Sequence, residues 1–372
     1  MKILLVAGAR PNFMKIAPLM KAIGGRDSDA AMRNGPIECI LVHTGQHYDE
    51  KMSDVFFREL GIRAPDVNLE VGSGTHALQT AAVMSKFEPI CVQERPDWVV
   101  VVGDVNSTMA CALVCAKMGI RVAHVEAGLR SFDRAMPEEI NRLVTDALAN
   151  LLLTPSTDAD QNLKNEGVSE DRIRCVGNIM IDALVANLER ARLSPITKTL
   201  GLDGREFVYV TLHRPSNVDL QDHLRSIMFE LNKLASDLPV VFPIHPRTRK
   251  MMAQFNLLNG DHPIRIVEPV GYLDSICLTE CARMIITDSG GLQEESTFFR
   301  TPCLTLRPNT ERPVTVRLGS NRLTSPATLS HDIQEVLNGP ARRGSVPPLW
   351  DGQTAERIVD CLLSESANGQ IL

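Results

Sequence analysis

Residues 283–296 read "RMIITDSGGLQEES", and this stretch decides the fold. The apolar run "MIIT" predicts a buried strand, and the adjacent glycines Gly290 and Gly291 turn the chain into a helix. The first backbone amides of such a helix attract an anion. Glu294 and Glu295 follow about one turn later, where they would repel an anion. The stretch therefore predicts a strand, a tight turn and a helix, and a ligand that carries both an anion and hydrogen-bond donors.

Similar strands alternate with helical stretches along almost the whole chain. The strands are short apolar runs without polar alternation, which is typical of strands covered on both faces. Their order, with helices in between, predicts parallel βαβ units. The expected strands lie at 2–7, 38–43, 98–103, 121–126, 150–155, 173–177, 207–212, 240–245, 264–269, 283–288 and 303–307.

A polar segment at 190–206 interrupts this order. The length of 372 residues suggests two or three domains at roughly 150 residues each. We therefore predict an α/β protein with two Rossmann-like, doubly wound domains that face a central cleft. The N-terminal domain covers 1–190, the C-terminal domain covers 191–351, and the helix in 352–372 packs back on the first domain.

Composition excludes several classes of partner. The net charge of −6 offers no general attraction to nucleic acid or to an anionic membrane, and 4% aromatic residues leave few platforms for stacking bases. No run approaches the ~20 apolar residues of a membrane span, and the N-terminus does not fit a signal peptide. The nine cysteines are scattered without a CxxC pair. We expect a cytoplasmic protein with reduced thiols.

Charged residues collect where the predicted strands of the first domain end. Ligands bind at this edge of open α/β sheets. Arg10 and Lys15 follow the first strand and suit a diphosphate, although they could be ordinary surface cations. Asp104 follows the strand at 98–103 as a helix cap or a site residue. Glu126 ends an apolar strand, where its carboxylate either forms a structural ion pair or takes part in the chemistry.

Two further positions leave alternatives open. Glu138 begins a helix, where the helix dipole alone favours an acid, and Arg142 is spaced to pair with it. His213 and Arg214 follow the strand at 207–212, and a proline prevents that strand from continuing. This placement favours a phosphate contact or a proton-transfer role for His213 over a structural one.

A nucleoside diphosphate carries both the anion and the hydrogen-bond donors that residues 283–296 predict for the ligand. The backbone amides of Ser289, Gly290 and Gly291 would bind its phosphates. Glu295 lies roughly 6 Å further along the helix axis, where it could accept two hydrogen bonds from a ribose diol. Arg312 follows the next strand and could contact the same ligand.

Eight motifs between about residue 3 and residue 325 together resemble one known family, the non-hydrolysing UDP-N-acetylglucosamine 2-epimerases. In chain order they read "GARPNFMKIAPL", "TGQHYD", "VGDVNST", "HVEAGLRS", "MPEEINR", "TLHRPSNVD", "TDSGGLQEE" and "NTERPV".

The resemblance implies a GT-B architecture, a UDP-sugar as substrate, no metal or other cofactor, and a homodimer. It implies reversible epimerisation at C2 of the sugar by elimination and re-addition of UDP through a glycal-type intermediate. It implies acid/base or electrostatic roles for Asp104, Glu126 and Glu138, and a catalytic as well as a binding role for His213. The implied substrate contacts are Arg10, Lys15, His213, Ser289, Gly290, Gly291, Glu295 and Arg312.

Other functions stay open at this point. A GT-B glycosyltransferase, a hydrolysing epimerase, a 2-epimerase for a modified UDP-sugar and a non-catalytic sensor would all hold UDP in the same way. The sequence also departs from many bacterial members of the family, because Val314 replaces a glutamate and the histidine motif at 213 differs. The loop at 46–52 differs too. In bacterial members it helps to bind a second, activating nucleotide sugar, so we do not expect that regulation here.

Overall fold

The structure is a computed structural model that describes residues 1–29, 37–45, 62–258 and 263–368, without the side chains at 10–11, 27–29 and 368. The loop at 46–52 therefore lies outside the described residues. Contacts divide the chain into two compact units. The first unit is Met1–Ala183 with Pro348–Leu372, and the second is Leu184–Pro347.

The first unit is built on a seven-stranded sheet in which all neighbouring strands run parallel. The strand order is β3-β2-β1-β4-β5-β6-β7, so the order reverses between β1 and β4. Strands such as β4 are buried at every residue, as a parallel sheet covered by helices requires. The strands are β1 (Lys2–Ala7), β2 (Glu38–His43), β3 (Val67–Asn68), β4 (Trp98–Val102), β5 (Arg121–Val125), β6 (Leu151–Thr154) and β7 (Ile173–Cys175).

Helices connect these strands, and local signals set where they begin and end. Thr75 caps one helix by accepting a hydrogen bond from the Leu78 N–H, at 3.3 Å. Gly119 ends the next helix in the left-handed conformation, with φ +71°. The helices are α1 (Arg10–Asp29), α2 (His76–Glu94), α3 (Asn106–Met118), α4 (Pro137–Leu148), α5 (Thr157–Asn165) and α6 (Ile179–Arg192), which continues into the second unit.

The second unit repeats the same topology with six parallel strands. Their order is β10-β9-β8-β11-β12-β13, which reverses between β8 and β11. This is the strand order of a Rossmann domain. The strands are β8 (Val208–Thr211), β9 (Val240–Pro243), β10 (Arg265–Val267), β11 (Met284–Thr287), β12 (Cys303–Leu306) and β13 (Asn321–Thr324).

The helices of this unit enclose an apolar core. Val208, Val210, Met284, Ile286 and Leu304 project from the sheet into one cluster and are completely buried. The helices are α7 (Ile196–Thr199), α8 (Pro215–Val218), α9 (Gln221–Ala235), α10 (Pro246–Gln254), α11 (Tyr272–Cys281), α12 (Gly290–Phe299), α13 (Pro313–Arg317) and α14 (Leu329–Leu337).

The predicted fold class, two Rossmann-like α/β domains, is confirmed, and every predicted strand is present within a few residues of its expected ends. Two strands were missed. β3 has only two residues, and β13 has the mixed sequence "NRLT", half of it partly exposed. Both lie at a sheet edge, where a strand is defined by its hydrogen bonds to one neighbouring strand and not by a run of buried apolar residues. No helix in the described parts of the chain is long and apolar enough to cross a membrane.

The last helix, α15 (Thr354–Asn368), belongs to the first unit, where it packs against α1. Its side chains Ile358 and Val359 are completely buried. Asp182 on α6 caps its first turn by accepting hydrogen bonds from the N–H groups of Thr354, at 3.1 Å, and Ala355, at 2.7 Å. The C-terminal segment is therefore part of the first core.

Truncating Ile358 to alanine should lower the free energy of unfolding by about 2–5 kcal/mol, because a buried aliphatic side chain is lost and a cavity is left. Asp360→Ala on the same helix is the control. Its side chain is 57% exposed and pairs with Arg26, so the change should be within about 1 kcal/mol. Urea denaturation measures both, and equal effects would contradict the packing of α15.

Candidate active site

The turn after β1 is tied to the end of β4 by one asparagine. Asn12 Oδ1 accepts hydrogen bonds from the N–H groups of Gly8, at 3.1 Å, and Ala9, at 2.9 Å. Its Nδ2 donates to the Val102 carbonyl at 3.2 Å. Gly8 has no room for a side chain, because a Cβ would lie 2.7 Å from the Ser107 Cβ. The ends of β1 and β4, the two strands between which the strand order reverses, are thus joined by hydrogen bonds in one corner.

Lys15 and Glu126 form a buried ion pair beside this corner, through Lys15 Nζ and Glu126 Oε2. A Cβ on Gly103 would lie 2.7 Å from that Nζ, so the ammonium group rests directly against the glycine. Glu126 has φ +70°, a strained conformation for a residue with a side chain. Its Oε1 is buried and has no hydrogen-bond partner in the described part of the chain. Strain and an unpaired buried oxygen are both typical of a functional residue.

Asp104 follows Gly103, against which this pair rests, and is held by Arg142 from α4. The Arg142 guanidinium also contacts Glu139, and its side chain is only 2% exposed. Glu139 accepts hydrogen bonds from the Ser131 and Phe132 N–H groups, both at 2.9 Å. Burial alone would raise the pKa of Glu139, but these hydrogen bonds and Arg142 bring the pKa below its usual value. Arg142 thus orients Asp104, whose side chain stays one-third exposed.

The pairing of Arg142 with Glu138, left open by the sequence, is wrong. Glu139, three residues before Arg142, faces the interior and makes that contact. Glu138 is exposed on the first turn of α4 and has no hydrogen bond or ion pair among the described residues. Arg10 begins α1, and its side chain lies outside the described residues.

Asp288, completely buried at the end of β11, organises the corresponding corner of the second unit. Its carboxylate accepts hydrogen bonds from the Arg214 N–H, at 2.9 Å, the His213 N–H, at 3.1 Å, and Asn217 Nδ2, at 3.1 Å. It thereby fixes the turn that follows β8. Burial would raise the pKa of Asp288, but His213 and these hydrogen bonds hold the pKa below its usual range.

The His213 ring is oriented by the same carboxylate. Its Nδ1 lies 3.0 Å from Asp288 Oδ1. A carboxylate can only accept a hydrogen bond, so the proton resides on Nδ1. The side chain is 41% exposed, and the other ring nitrogen, Nε2, is left for a ligand. This arrangement is suited to contact a phosphate or to move a proton.

Helix α12 begins at the quoted glycines, with Ser289 as its N-cap. The Gly290 and Gly291 N–H groups belong to the first helical turn and donate to no acceptor in the described chain. Arg312 lies over this turn, since a Cβ on Gly290 would be 3.1 Å from its guanidinium. The structure therefore brings together four of the predicted residues, Ser289, Gly290, Gly291 and Arg312.

The two adjacent glutamates of α12 have different environments. Glu294 Oε1 pairs with Arg312 Nε at 2.7 Å. Glu295 is 6% exposed and has no ion pair or hydrogen bond among the described residues. Burial, and then the charge of Glu294, raise the pKa of Glu295 to about 8. Glu294 is thus structural, whereas Glu295 is a buried acid without a partner of its own.

Sequence reasoning missed several residues that build the site. Asp288 follows a strand end as Asp104 does, so that signal was available. Asn12 and Glu139 had no such signal, because their roles come from backbone groups distant in the sequence. Within the described ranges, no group of three or more histidine, cysteine, aspartate or glutamate side chains is placed to hold a metal ion.

Comparison with known proteins agrees with this geometry. The family model described as UDP-N-acetylglucosamine 2-epimerase matches residues 29–363. The UDP-N-acetylglucosamine 2-epimerase of Methanocaldococcus jannaschii is 41% identical over 97% of this chain and 99% of its own. The UDP-2,3-diacetamido-2,3-dideoxy-D-glucuronate 2-epimerase of Pseudomonas aeruginosa is 41% identical over 88% of this chain and 89% of its own.

A solved structure is similar over nearly the whole chain. The crystal structure of the Methanocaldococcus jannaschii UDP-GlcNAc 2-epimerase with UDP-GlcNAc and UDP has a TM-score of 0.86 and 40% identity, covering 98% of this chain and 100% of its own. The two Rossmann-like domains together with these likenesses identify the chain as an epimerase of the GT-B fold class. The chain belongs to the UDP-N-acetylglucosamine 2-epimerase family.

Replacing Glu295 by glutamine should make stability less dependent on pH. Because the folded protein raises the pKa of Glu295 from 4.5 to about 8, the wild type loses free energy of unfolding as pH rises through this window. Glu295→Gln cannot ionise, so its stability relative to wild type should grow by on the order of a few kcal/mol between pH 5 and 9. Urea denaturation at both pH values measures this.

Glu189→Gln is the matched control, because the Glu189 side chain is 89% exposed. Its stability should follow that of the wild type at both pH values. A Glu295→Gln variant that also follows the wild type would mean that the Glu295 carboxyl ionises normally in the folded protein.

Proposed function

We propose that the chain catalyses reversible epimerisation of UDP-N-acetylglucosamine at C2, giving UDP-N-acetylmannosamine. One observation carries the chemical part of this proposal. Glu126 is buried and strained, is paired with Lys15 through one oxygen, and has no partner for its second oxygen among the described residues. A carboxylate in this state can accept a proton from a bound substrate.

The second unit supplies the groups for the leaving nucleotide. The Gly290 and Gly291 amides and the Arg312 guanidinium meet at the start of α12, and His213 is held beside the same sheet edge by Asp288. These donors would stabilise the diphosphate as it departs. Glu295 would accept hydrogen bonds from the ribose diol, and Ser289, Arg10 and Lys15 complete the proposed substrate contacts.

The reaction itself needs elimination, because no carbonyl adjoins C2 to acidify its proton. The C2–H bond breaks and its proton passes to a protein base. The C1–O bond to UDP breaks as well, UDP leaves with that electron pair, and a C1=C2 double bond forms. Re-addition returns UDP to the same face of C1 and delivers a proton to the opposite face of C2, which inverts C2 alone.

We assign proton transfer and charge stabilisation in these steps to Asp104, Glu126 and Glu138, together with His213. Asp104 is partly exposed and oriented by Arg142, and Glu138 is exposed and unpaired within the described structure. Each proton-transfer group is worth roughly 10²–10⁴-fold in rate.

Glu126→Gln should reduce turnover at least about tenfold, because glutamine cannot accept the proton. NMR of UDP-N-acetylglucosamine in D₂O measures it: the wild type should place deuterium at C2 and form UDP-N-acetylmannosamine. Free sugar would identify a hydrolysing enzyme. If UDP-N-acetylglucosamine is recovered unchanged and without deuterium at C2, the result would contradict epimerisation of this sugar. It would favour a glycosyltransferase or a sensor.

A 2-epimerase for a modified UDP-sugar is the second candidate. It is favoured by the Pseudomonas aeruginosa relative, whose name specifies a diacetamido glucuronate, at 41% identity. Offering both UDP-sugars to the same preparation separates the candidates, since deuterium at C2 should appear with the true substrate at a far higher kcat/KM.

The neighbouring acids Glu138 and Glu139 provide a matched pair of variants. Glu138→Gln should keep the wild-type unfolding temperature and lose at least about tenfold in turnover. Glu139→Gln should lower the unfolding free energy by about 1–3 kcal/mol, since it removes a buried charge that pairs with Arg142 and holds two backbone N–H groups. Normal turnover in Glu138→Gln would remove Glu138 from the catalytic set.

We also propose that the chain works in the cytoplasm as a homodimer. Family resemblance supports the dimer, and the strongly exposed Leu78 and Val92 on α2 are apolar residues that a partner could cover. Light scattering of the purified protein tests this, with a mass twice that of one chain as the expected result.

A further inference from the structure

A buried histidine lies beneath the proposed catalytic carboxylates, and the reaction as described does not use it. His124 is the fourth of the five residues of β5 and is completely buried. Its Nε2 lies 2.8 Å from the Gly103 carbonyl oxygen. Its Nδ1 lies 2.6 Å from Asp146 Oδ1 on α4. The ring therefore joins the end of β4 to a helix on the face of the sheet.

Both ring nitrogens of His124 lie within hydrogen-bond distance of an oxygen. A backbone carbonyl can only accept, so Nε2 donates to Gly103. Asp146 also accepts from the Gly128 N–H, at 3.0 Å, and pairs with Arg130 at 2.7 Å. Burial would raise the pKa of Asp146, but His124 and Arg130 hold the pKa below its usual value. The Asp146 carboxylate is thus fixed by several groups and in turn holds the ring in place at Nδ1.

The bond to Gly103 reaches the catalytic corner directly. Gly103 has φ +67°, and a Cβ on it would lie 2.7 Å from Lys15 Nζ and 3.7 Å from Glu126 Oε2. Asp104 is the next residue. A shift of the Gly103 peptide would therefore move the Asp104 backbone and the surface against which the Lys15–Glu126 pair rests.

We propose that His124 is a positioning residue for the epimerase, which, anchored by Asp146, holds the Gly103 carbonyl and so keeps Asp104, Lys15 and Glu126 in register. This rests on the function proposed above. His124 itself touches no substrate. Misplacement by about 1 Å can cost about 100-fold in rate, so this anchoring matters more for turnover than for nucleotide binding.

Two amide substitutions separate the two bonds of the ring. His124→Gln places its N–H₂ near the position of Nε2 and can keep the bond to Gly103, whereas His124→Asn places its N–H₂ near Nδ1 and can keep only the bond to Asp146. The proposal predicts a kcat for His124→Asn about 10- to 100-fold below that of His124→Gln. UDP affinity should fall far less than kcat in both, because the phosphate-binding residues of α12 are untouched and Lys15 is the one proposed nucleotide contact that His124 positions.

Equal kcat values in the two variants, or a higher kcat in His124→Asn, would overturn the proposal, as would a loss of UDP affinity that matches the loss of kcat. A wild type that fails to epimerise any UDP-sugar would instead contradict the proposed function.

If neither variant folds, the wild type decides the question by NMR of ring-¹⁵N-labelled histidine. The Nε2 proton of the ring in contact with Gly103 should exchange slowly with solvent. A rapidly exchanging Nε2 proton, or an Nε2 without a proton, would overturn the proposal.

Discussion

An ionised carboxylate that is buried at the carboxyl edge of a parallel sheet needs cationic groups or N–H donors close to it, and this requirement shapes both domains. Desolvating an unpaired charge costs several kcal/mol, so the chain surrounds each such group with partners. Asp288 accepts hydrogen bonds from N–H groups of the turn after β8. Asp146 contacts His124 and Arg130, and Glu139 pairs with Arg142. The loops that carry the candidate site are ordered by these carboxylates.

Glu126 and Glu295 depart from this pattern, which is why we propose functional roles for them. Glu126 has one oxygen paired with Lys15 and the other without a partner in the described chain. Glu295 has a raised pKa, whereas Glu294 beside it is neutralised by Arg312. The electrostatic conflict of two acids near an anion-binding helix start is thereby resolved, because one acid serves the fold and the other remains for a ligand.

The fold and much of the site could be predicted because both follow from local patterns. Apolar runs between helical stretches are sufficient to place central strands, and the rule that ligands bind at strand ends selects Asp104, Glu126, His213 and Gly290. Pairings were harder. Spacing alone suggested Glu138 as the ion-pair partner of Arg142. Glu139 is the actual partner, because it lies on the buried face of α4. Edge strands such as β3 were missed because they have too few apolar residues to form a pattern.

The sequence by itself determined the order of strands and helices, the glycine turns and the chemical type of each strand-end residue, because backbone propensity and apolar periodicity act over a few neighbouring positions. Only the tertiary structure decided the orientation and the hydrogen-bond partners of the groups. His124 bridges Gly103 and Asp146, which are 21 and 22 residues away along the chain and lie on either side of its ring. Charge and hydrogen bonding depend on distance in space, and that distance is set when the sheets and helices pack.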